Sequence, residues 1–154
     1  MRIGLGALKF FILKVNPKKR MVFNPQESVD MQGQTGPYIQ NAFVRISSIF
    51  RKLTDLPDAD FSAYSLMDPE KELIKSLLQY PHVIEQAANN YDPSLLASYS
   101  YTLGKQFHKF YHDVRILSAE PEVANAFRLK LCKAGGNVLE SSLHLLRIEI
   151  PERT

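Results

Sequence analysis

The sequence has little cysteine, no tryptophan and no long apolar run. Its 154 residues include one cysteine, Cys132, so an internal disulfide is impossible and no zinc-binding Cys/His pattern can be built. This usage favours a reducing, cytoplasmic location. The apolar run at the N-terminus is interrupted by Lys9 and is far shorter than the roughly 20 residues that a membrane-spanning helix needs. No small-residue cleavage site follows it, so we predict neither a signal peptide nor a membrane partner.

Charge is nearly balanced. Nineteen Lys and Arg against sixteen Asp and Glu give a net charge of +3, and 45% of the residues are apolar. The composition is that of one globular domain and excludes a disordered chain. The slight basic excess is compatible with a nucleic-acid partner but does not require one.

Helical periodicity dominates the chain, and it predicts an all-α fold, a helical bundle. Proline and glycine predict an irregular segment over 23–37, and the acidic segment 54–68 is predicted to be a mobile surface connection. A helix capped at Thr35 or Gly36 is expected to carry Pro37 in its first turn. The predicted helices cover residues 3–14, 38–53, 70–80, 82–91 and 94–114, and a last helix from about residue 121 that bends at Gly135–Gly136 without ending there.

Four of the predicted helices have an apolar stripe, among them the first helix and the helix over 94–114. In the first, the residues expected to be buried are Ile3, Leu5, Leu8, Phe11 and Ile12. In the helix over 94–114, they are Leu96, Tyr99, Leu103, Phe107, Phe110 and Val114. Spacings of three and four residues place each set on one face of its helix.

No pattern in the chain indicates an enzyme active site. His108 and His112 have the spacing of two ligands on one helix face, but Lys109 stands where a zinc protease has glutamate. Gly4 and Gly6 do not follow a strand, as a dinucleotide-binding motif requires. We predict no catalytic residue, no metal ligand and no cofactor-binding residue.

Tyrosine is concentrated around one helix. Tyr91, Tyr99, Tyr101 and Tyr111 are interleaved with basic residues, among them Lys105, His108, Lys109 and Arg115. Unpaired RNA bases stack on aromatic rings and guanidinium groups, and phosphates bind Lys and Arg. Tyrosines at helical spacing also complete an apolar core with the hydroxyl in water. The residues alone leave both interpretations open.

Longer strings carry a specific resemblance. The segment FFILKVNPKKRMVFNPQESVDMQGQTGPYIQNAFVRISSIFRK resembles the passage from the class I catalytic core of arginyl-tRNA synthetases into their helical anticodon-binding domain, the DALR domain. The segments LASYSYTLGKQFHKFYHDVRIL and AFRLKLCKAGGNVLESSLHLLRIEIPER are similar to the rest of that domain. The resemblance covers essentially the whole chain.

This resemblance implies two parts, an edge of the catalytic core and connection over 1–36 and the anticodon-binding domain over 37–154. The HIGH-type and KMSK-type motifs with which the family binds ATP do not occur here. We therefore expect a C-terminal part of a longer arginine-tRNA ligase, which binds no ATP and does not charge tRNA alone. Its expected partners are the anticodon stem-loop of an arginine tRNA and the catalytic core, not DNA. A stand-alone bundle that binds other proteins is the alternative.

The resemblance also implies tRNA-binding residues. Tyr111 is expected to stack on a base, Arg115 to stack on or hydrogen-bond to one, and Arg153 to face the anticodon loop. Arg45 and Arg128 occupy family motif positions and either contact phosphate or brace the bundle internally. The chain departs from the usual family pattern at Asn41, Gly135, Gly136, Arg147 and Thr154.

Overall fold

A computed structural model describes residues 2–51, 53, 55–117 and 121–151, with the side chain of Arg2 left out. These ranges contain helices and irregular segments but no strand, so the predicted all-α fold is confirmed. Within them, no helix is long and apolar enough to cross a membrane. The helices are α1 (Arg2–Leu13), α2 (Pro25–Ser28), α3 (Gly36–Phe50), α4 (Asp68–Asn89), α5 (Pro93–Asp113) and α6 (Glu122–Leu145).

Helix α5 forms the centre of the bundle. Its predicted stripe is buried at every position, from Leu96 to Val114. Helix α4 runs antiparallel to it, and the Tyr99 hydroxyl donates a hydrogen bond to the Ser76 carbonyl at 2.9 Å. Helices α3 and α6 cover the other sides of α5. The core therefore fixes the relative positions of the ends of α3, α5 and α6.

Two predicted boundaries were wrong. Helix α4 continues through Pro81, where the sequence predicts a new helix. A proline inside a helix removes one hydrogen bond, but Tyr80 stacks on Tyr99 with ring centres 5.6 Å apart and Val83 packs on the core one turn later. A short helix, α2, also interrupts the segment predicted to be irregular. Its N-cap is Asn24, whose side chain accepts hydrogen bonds from two backbone amides.

Helix α1 buries only Phe11 of the face that the sequence predicts to be buried. Ala7, Phe10 and Phe11 are buried, whereas Ile3, Leu5, Leu8 and Ile12 are each 37–48% exposed. The cause is a close approach between α1 and α3: a Cβ on Gly36 would lie 2.6 Å from the Gly6 carbonyl oxygen. The two glycines let the helices touch through their backbones, which turns the Phe10 side of α1 towards the core.

The last described residues, 146–151, return to α1 and α3. Lys9 donates a hydrogen bond to the Arg147 carbonyl at 2.6 Å, and Gln40 donates one to the Glu149 carbonyl at 2.7 Å. Ile148 is buried between these contacts. This segment therefore closes the bundle over the junction of its first and third helices.

Helix α6 is continuous through Gly135–Gly136, as predicted. The connection that precedes α4 lies on the surface and is held by specific contacts. Phe61 and Tyr64 both pack on Phe127, with ring centres 5.5 and 5.0 Å apart. Lys130 pairs with Asp58 at 2.6 Å.

Candidate nucleic-acid interface

Helices α3 and α5 run parallel and bring five polar or aromatic side chains together. Arg45 Nη1 lies 3.4 Å from His108 Nδ1, and its guanidinium carbon lies 6.0 Å from the centre of the Tyr111 ring. The Tyr38 ring is 4.9 Å from that of His108 and 5.3 Å from that of Tyr101. We call this set the α3–α5 cluster.

Two members of the cluster have shifted pKa values. Burial, and then the nearby Arg45 charge, lower the pKa of His108 below its usual value, so the ring is neutral at pH 7. Burial and the neighbouring Tyr101 raise the pKa of Tyr38, which keeps its hydroxyl protonated. The cluster therefore offers neutral hydrogen-bonding groups around one guanidinium charge.

A hollow adjoins the cluster where α5 ends. It has a volume of about 250 Å³ and is lined by Ile49, Tyr111, Val114, Arg115, Ile116 and Leu117. Val114 and Ile116 are buried, whereas Arg115 is exposed and Tyr111 is 44% exposed. The two buried side chains anchor the turn, so the ring of Tyr111 and the cation of Arg115 stand at the edge of a partly apolar hollow.

A buried ion pair supports this turn from within the bundle. Arg128 donates a hydrogen bond to the Arg115 carbonyl at 2.9 Å, and its Nε lies 2.7 Å from Glu70 Oε1. Glu70 is fully buried and also accepts hydrogen bonds from the Tyr64 hydroxyl and the Met67 amide. The sequence leaves two roles open for Arg128, a phosphate contact or an internal brace, and the contacts observed in the structure are those of an internal brace.

Tyr111, Arg115 and Arg45, three of the residues predicted to bind tRNA, are thus brought together. Arg128 lies beneath them, and Arg153 lies outside the described residues. A tRNA-binding role for these side chains stays a prediction.

Tyr38 was missed by the sequence analysis. It stands seven residues before Arg45, which is two helical turns and the same face, and that spacing could have identified it. Of the four tyrosines noted in the sequence, Tyr99 belongs to the core, Tyr101 and Tyr111 belong to this surface, and Tyr91 lies at the other end of α5.

Among the residues that the structure describes, no group of three His, Cys, Asp or Glu side chains could hold a metal ion. His108 points to Arg45, and His112 pairs with Asp113 at 2.9 Å. Cys132 is buried in the core, and burial raises the pKa of its thiol to about 12. The α3–α5 cluster and the adjoining hollow can therefore bind a ligand through aromatic rings, cations and hydrogen bonds.

Comparisons with known proteins identify the chain. Residues 39–153 match the family described as the DALR anticodon binding domain. The arginine-tRNA ligase of Phocaeicola vulgatus is 43% identical over an alignment of 155 positions, which covers 98% of this chain and 26% of that protein. The arginine-tRNA ligase of Flavobacterium psychrophilum is 47% identical over 152 residues, 98% of this chain and 25% of that protein. The chain thus spans about a quarter of the length of these curated relatives.

Solved structures agree with this assignment. The arginyl-tRNA synthetase of Thermus thermophilus superposes with a TM-score of 0.90 at 32% identity, over 99% of this chain and 27% of that one. A putative arginyl-tRNA synthetase from Campylobacter jejuni superposes with a TM-score of 0.84 at 22% identity, over 99% of this chain and 34% of that one, and shows the same fold. The resemblance drawn from the sequence is confirmed. The chain belongs to the DALR anticodon binding domain family and corresponds to the C-terminal part of arginine-tRNA ligases.

Proposed function

We propose that this chain binds the anticodon stem-loop of an arginine tRNA as part of a larger arginine-tRNA ligase of the cytoplasm. The family and its relatives support the partner, and one structural observation supports the site. Tyr111 and Arg115 line a single hollow at the end of α5, and the guanidinium carbon of Arg45 lies 6.0 Å from the centre of the Tyr111 ring. ATP binding and attachment of arginine belong to the part of the ligase outside this chain.

The proposed mode of binding uses each part of the surface differently. An unpaired base of the loop stacks on the exposed ring of Tyr111, and Arg115 binds the base edge or the adjoining phosphate. Arg45 supplies a second cation from α3. Arg128 acts as a positioning residue, since its hydrogen bond to the Arg115 carbonyl fixes the turn that carries Arg115.

The test is binding of the 154-residue chain to a transcript of an arginine tRNA and to the same tRNA with altered anticodon bases. The native anticodon should bind more tightly, and Tyr111→Ala should weaken that binding by about 1–3 kcal/mol, the range for loss of one base–aromatic stack. Arg115→Ala should reduce the preference between the two transcripts. Lys75→Ala, which removes an exposed charge from the middle of α4, is the matched control and should leave the preference unchanged.

Salt dependence separates this function from the alternative of a protein-interaction bundle. RNA affinity should fall steeply as ionic strength rises, because binding to phosphates releases counterions. Equal affinity for the two anticodons at every salt concentration would contradict anticodon recognition by this chain.

A further inference from the structure

The opposite end of the bundle carries a second surface with cations and an aromatic ring. Lys18, Lys19 and Arg20 are all exposed, and the side chain of Tyr91, at the junction of α4 and α5, is 89% exposed. Helix α5, which has 21 residues, separates Tyr91 from Tyr111, so the two residues lie about 30 Å apart along the helix axis. A ligand seated at the Tyr111 hollow would meet this surface only if it extended along the bundle.

A hollow of about 540 Å³ lies between the basic turn and Tyr91. It is lined by Asn16, Pro17, Lys18, Asn90, Tyr91 and Asp92. Its volume falls within the range of pockets that hold small organic molecules, which is large enough for a single nucleotide. A cation stands on one side of the hollow and an exposed ring on the other.

The basic turn is fixed to the bundle. Asn16 donates a hydrogen bond to Asp92 Oδ2 at 2.6 Å, and its own side-chain oxygen accepts one from the Lys18 amide at 2.9 Å. The Lys19 amide donates to the Asn16 carbonyl at 2.9 Å. Because Asn16 is held by the N-cap residue of α5, the three cations are presented from a defined position beside Tyr91.

Asp92 is the one carboxylate among the residues that line this hollow, and its oxygens already have donors. Oδ1 accepts hydrogen bonds from the Ser94 amide and hydroxyl, and Oδ2 accepts one from Asn16. The hydrogen bond from the Ser94 hydroxyl is the main cause that lowers its pKa. Asp92 therefore organises the turn, while the cations at the rim remain able to meet an anion.

Tyr91 has a backbone conformation that does not suit its residue type. Its φ is 51°, in the left-handed region, at the position after a helix C-cap where glycine is preferred. With 89% of its surface exposed, the ring gains little packing in return. Glycine would satisfy the backbone here, so the tyrosine side chain is available for a contact outside the chain.

We propose that Lys18, Lys19, Arg20 and Tyr91 form a second RNA contact, in which the cations bind phosphates and the Tyr91 ring stacks on one unpaired base or on a sugar. Single-stranded RNA can use both kinds of group at once, because its phosphates bind cations and its accessible bases stack on exposed aromatic rings. Because the surface is about 30 Å from Tyr111, it would hold a different region of the same tRNA. The inference that this RNA is an arginine tRNA rests on the function proposed above.

The test uses Lys18→Ala/Lys19→Ala/Arg20→Ala, Tyr91→Gly and Tyr91→Phe variants of the full 154-residue chain, with the two tRNA transcripts titrated over a range of salt. The triple variant should lower the slope of log affinity against log salt by about 2–3, since each phosphate contact contributes about 0.7–0.9. Tyr91→Gly should weaken binding about 5- to 150-fold, and Tyr91→Phe should retain it. The ratio of affinities for the two anticodons should not change in any of them.

Two controls make the result specific. Lys71→Ala/Lys75→Ala/Lys133→Ala removes the same charge from α4 and α6, and its salt slope should stay close to that of the parent chain. Tyr91→Gly should melt no lower than the parent chain, because glycine fits the left-handed conformation, so weaker binding by this variant cannot be attributed to misfolding.

The outcomes separate the two proposals. Salt-dependent binding without anticodon preference, reduced in the triple variant, supports this second contact and contradicts the anticodon function. Anticodon-dependent binding that the triple variant and Tyr91→Gly leave unchanged overturns the second contact alone. Absence of tRNA binding by the parent chain overturns both.

Discussion

Replacing Arg128 with alanine removes the partner of a carboxylate that solvent does not reach. Glu70 has no exposed surface, and the Arg128 side chain is 9% exposed. Breaking a buried ion pair by removing one member costs about 3–5 kcal/mol, because the other charge is left without its partner. Glu70 keeps its hydrogen bonds from Tyr64 and from the Met67 amide. We therefore expect Arg128→Ala to lower the free energy of unfolding by about 3 kcal/mol, at the lower end of that range.

The assay is urea unfolding followed by circular dichroism, with the slope of free energy against urea compared between variants. Lys130→Ala is the matched control, since it removes an exposed ion pair with Asp58 from the same helix and should have a far smaller effect. Adding Glu70→Gln to Arg128→Ala should recover part of the loss because it removes the buried charge. A loss from Arg128→Ala no larger than that from Lys130→Ala would refute the reasoning.

The remaining predictions concern the thiol, the backbone and pH. Cys132 should react with iodoacetamide only as fast as the chain unfolds, because burial raises its pKa to about 12 and the thiolate is the reactive form; rapid labelling of the native chain would contradict this. Gly135→Ala should stabilise α6 by up to about 1 kcal/mol in urea unfolding, since a Cβ there meets no atom within 4 Å, and Arg147→Gly should also stabilise because Arg147 has a φ of 57°. The pKa of His108 is lowered in the folded chain, so folding favours the neutral ring. The stability that this neutral ring contributes is fully present above pH 6.5, the usual pKa of histidine, and is lost as the pH falls through the folded pKa. His108→Gln should flatten that part of a melting-temperature profile measured from pH 7.5 to 5.

The features that sequence predicted well are those that depend on near neighbours in the chain. The stripe of α5 repeats at helical spacing, and it is buried throughout. Thr35 caps α3 with Pro37 in its first turn, as its residue type predicts. Tyr111 and Arg115 lie four residues apart, so one helix end brings both to the same hollow.

What the sequence could not show depends on distant residues. Arg128 is a brace because Glu70, 58 positions earlier in the chain, is buried beside it, and no local pattern contains that pairing. The face that α1 buries is set by the contact between Gly6 and Gly36, which overrides its apolar periodicity. Helix α4 passes through Pro81 because the packing of Tyr80 on Tyr99 offsets the loss of the backbone hydrogen bond that proline cannot donate.

The hydrogen bond from Lys9 to the Arg147 carbonyl joins residues 138 positions apart, and this has a consequence for synthesis on the ribosome. At roughly 5–20 residues per second, Arg147 is added about 7–28 seconds after Lys9. Helix α1 can meet α3 long before then, but the segment containing Ile148 is not yet there to cover their junction. The nascent chain therefore passes through an interval in which this apolar seam is open, and the seam closes only after Arg147 and Ile148 have been added.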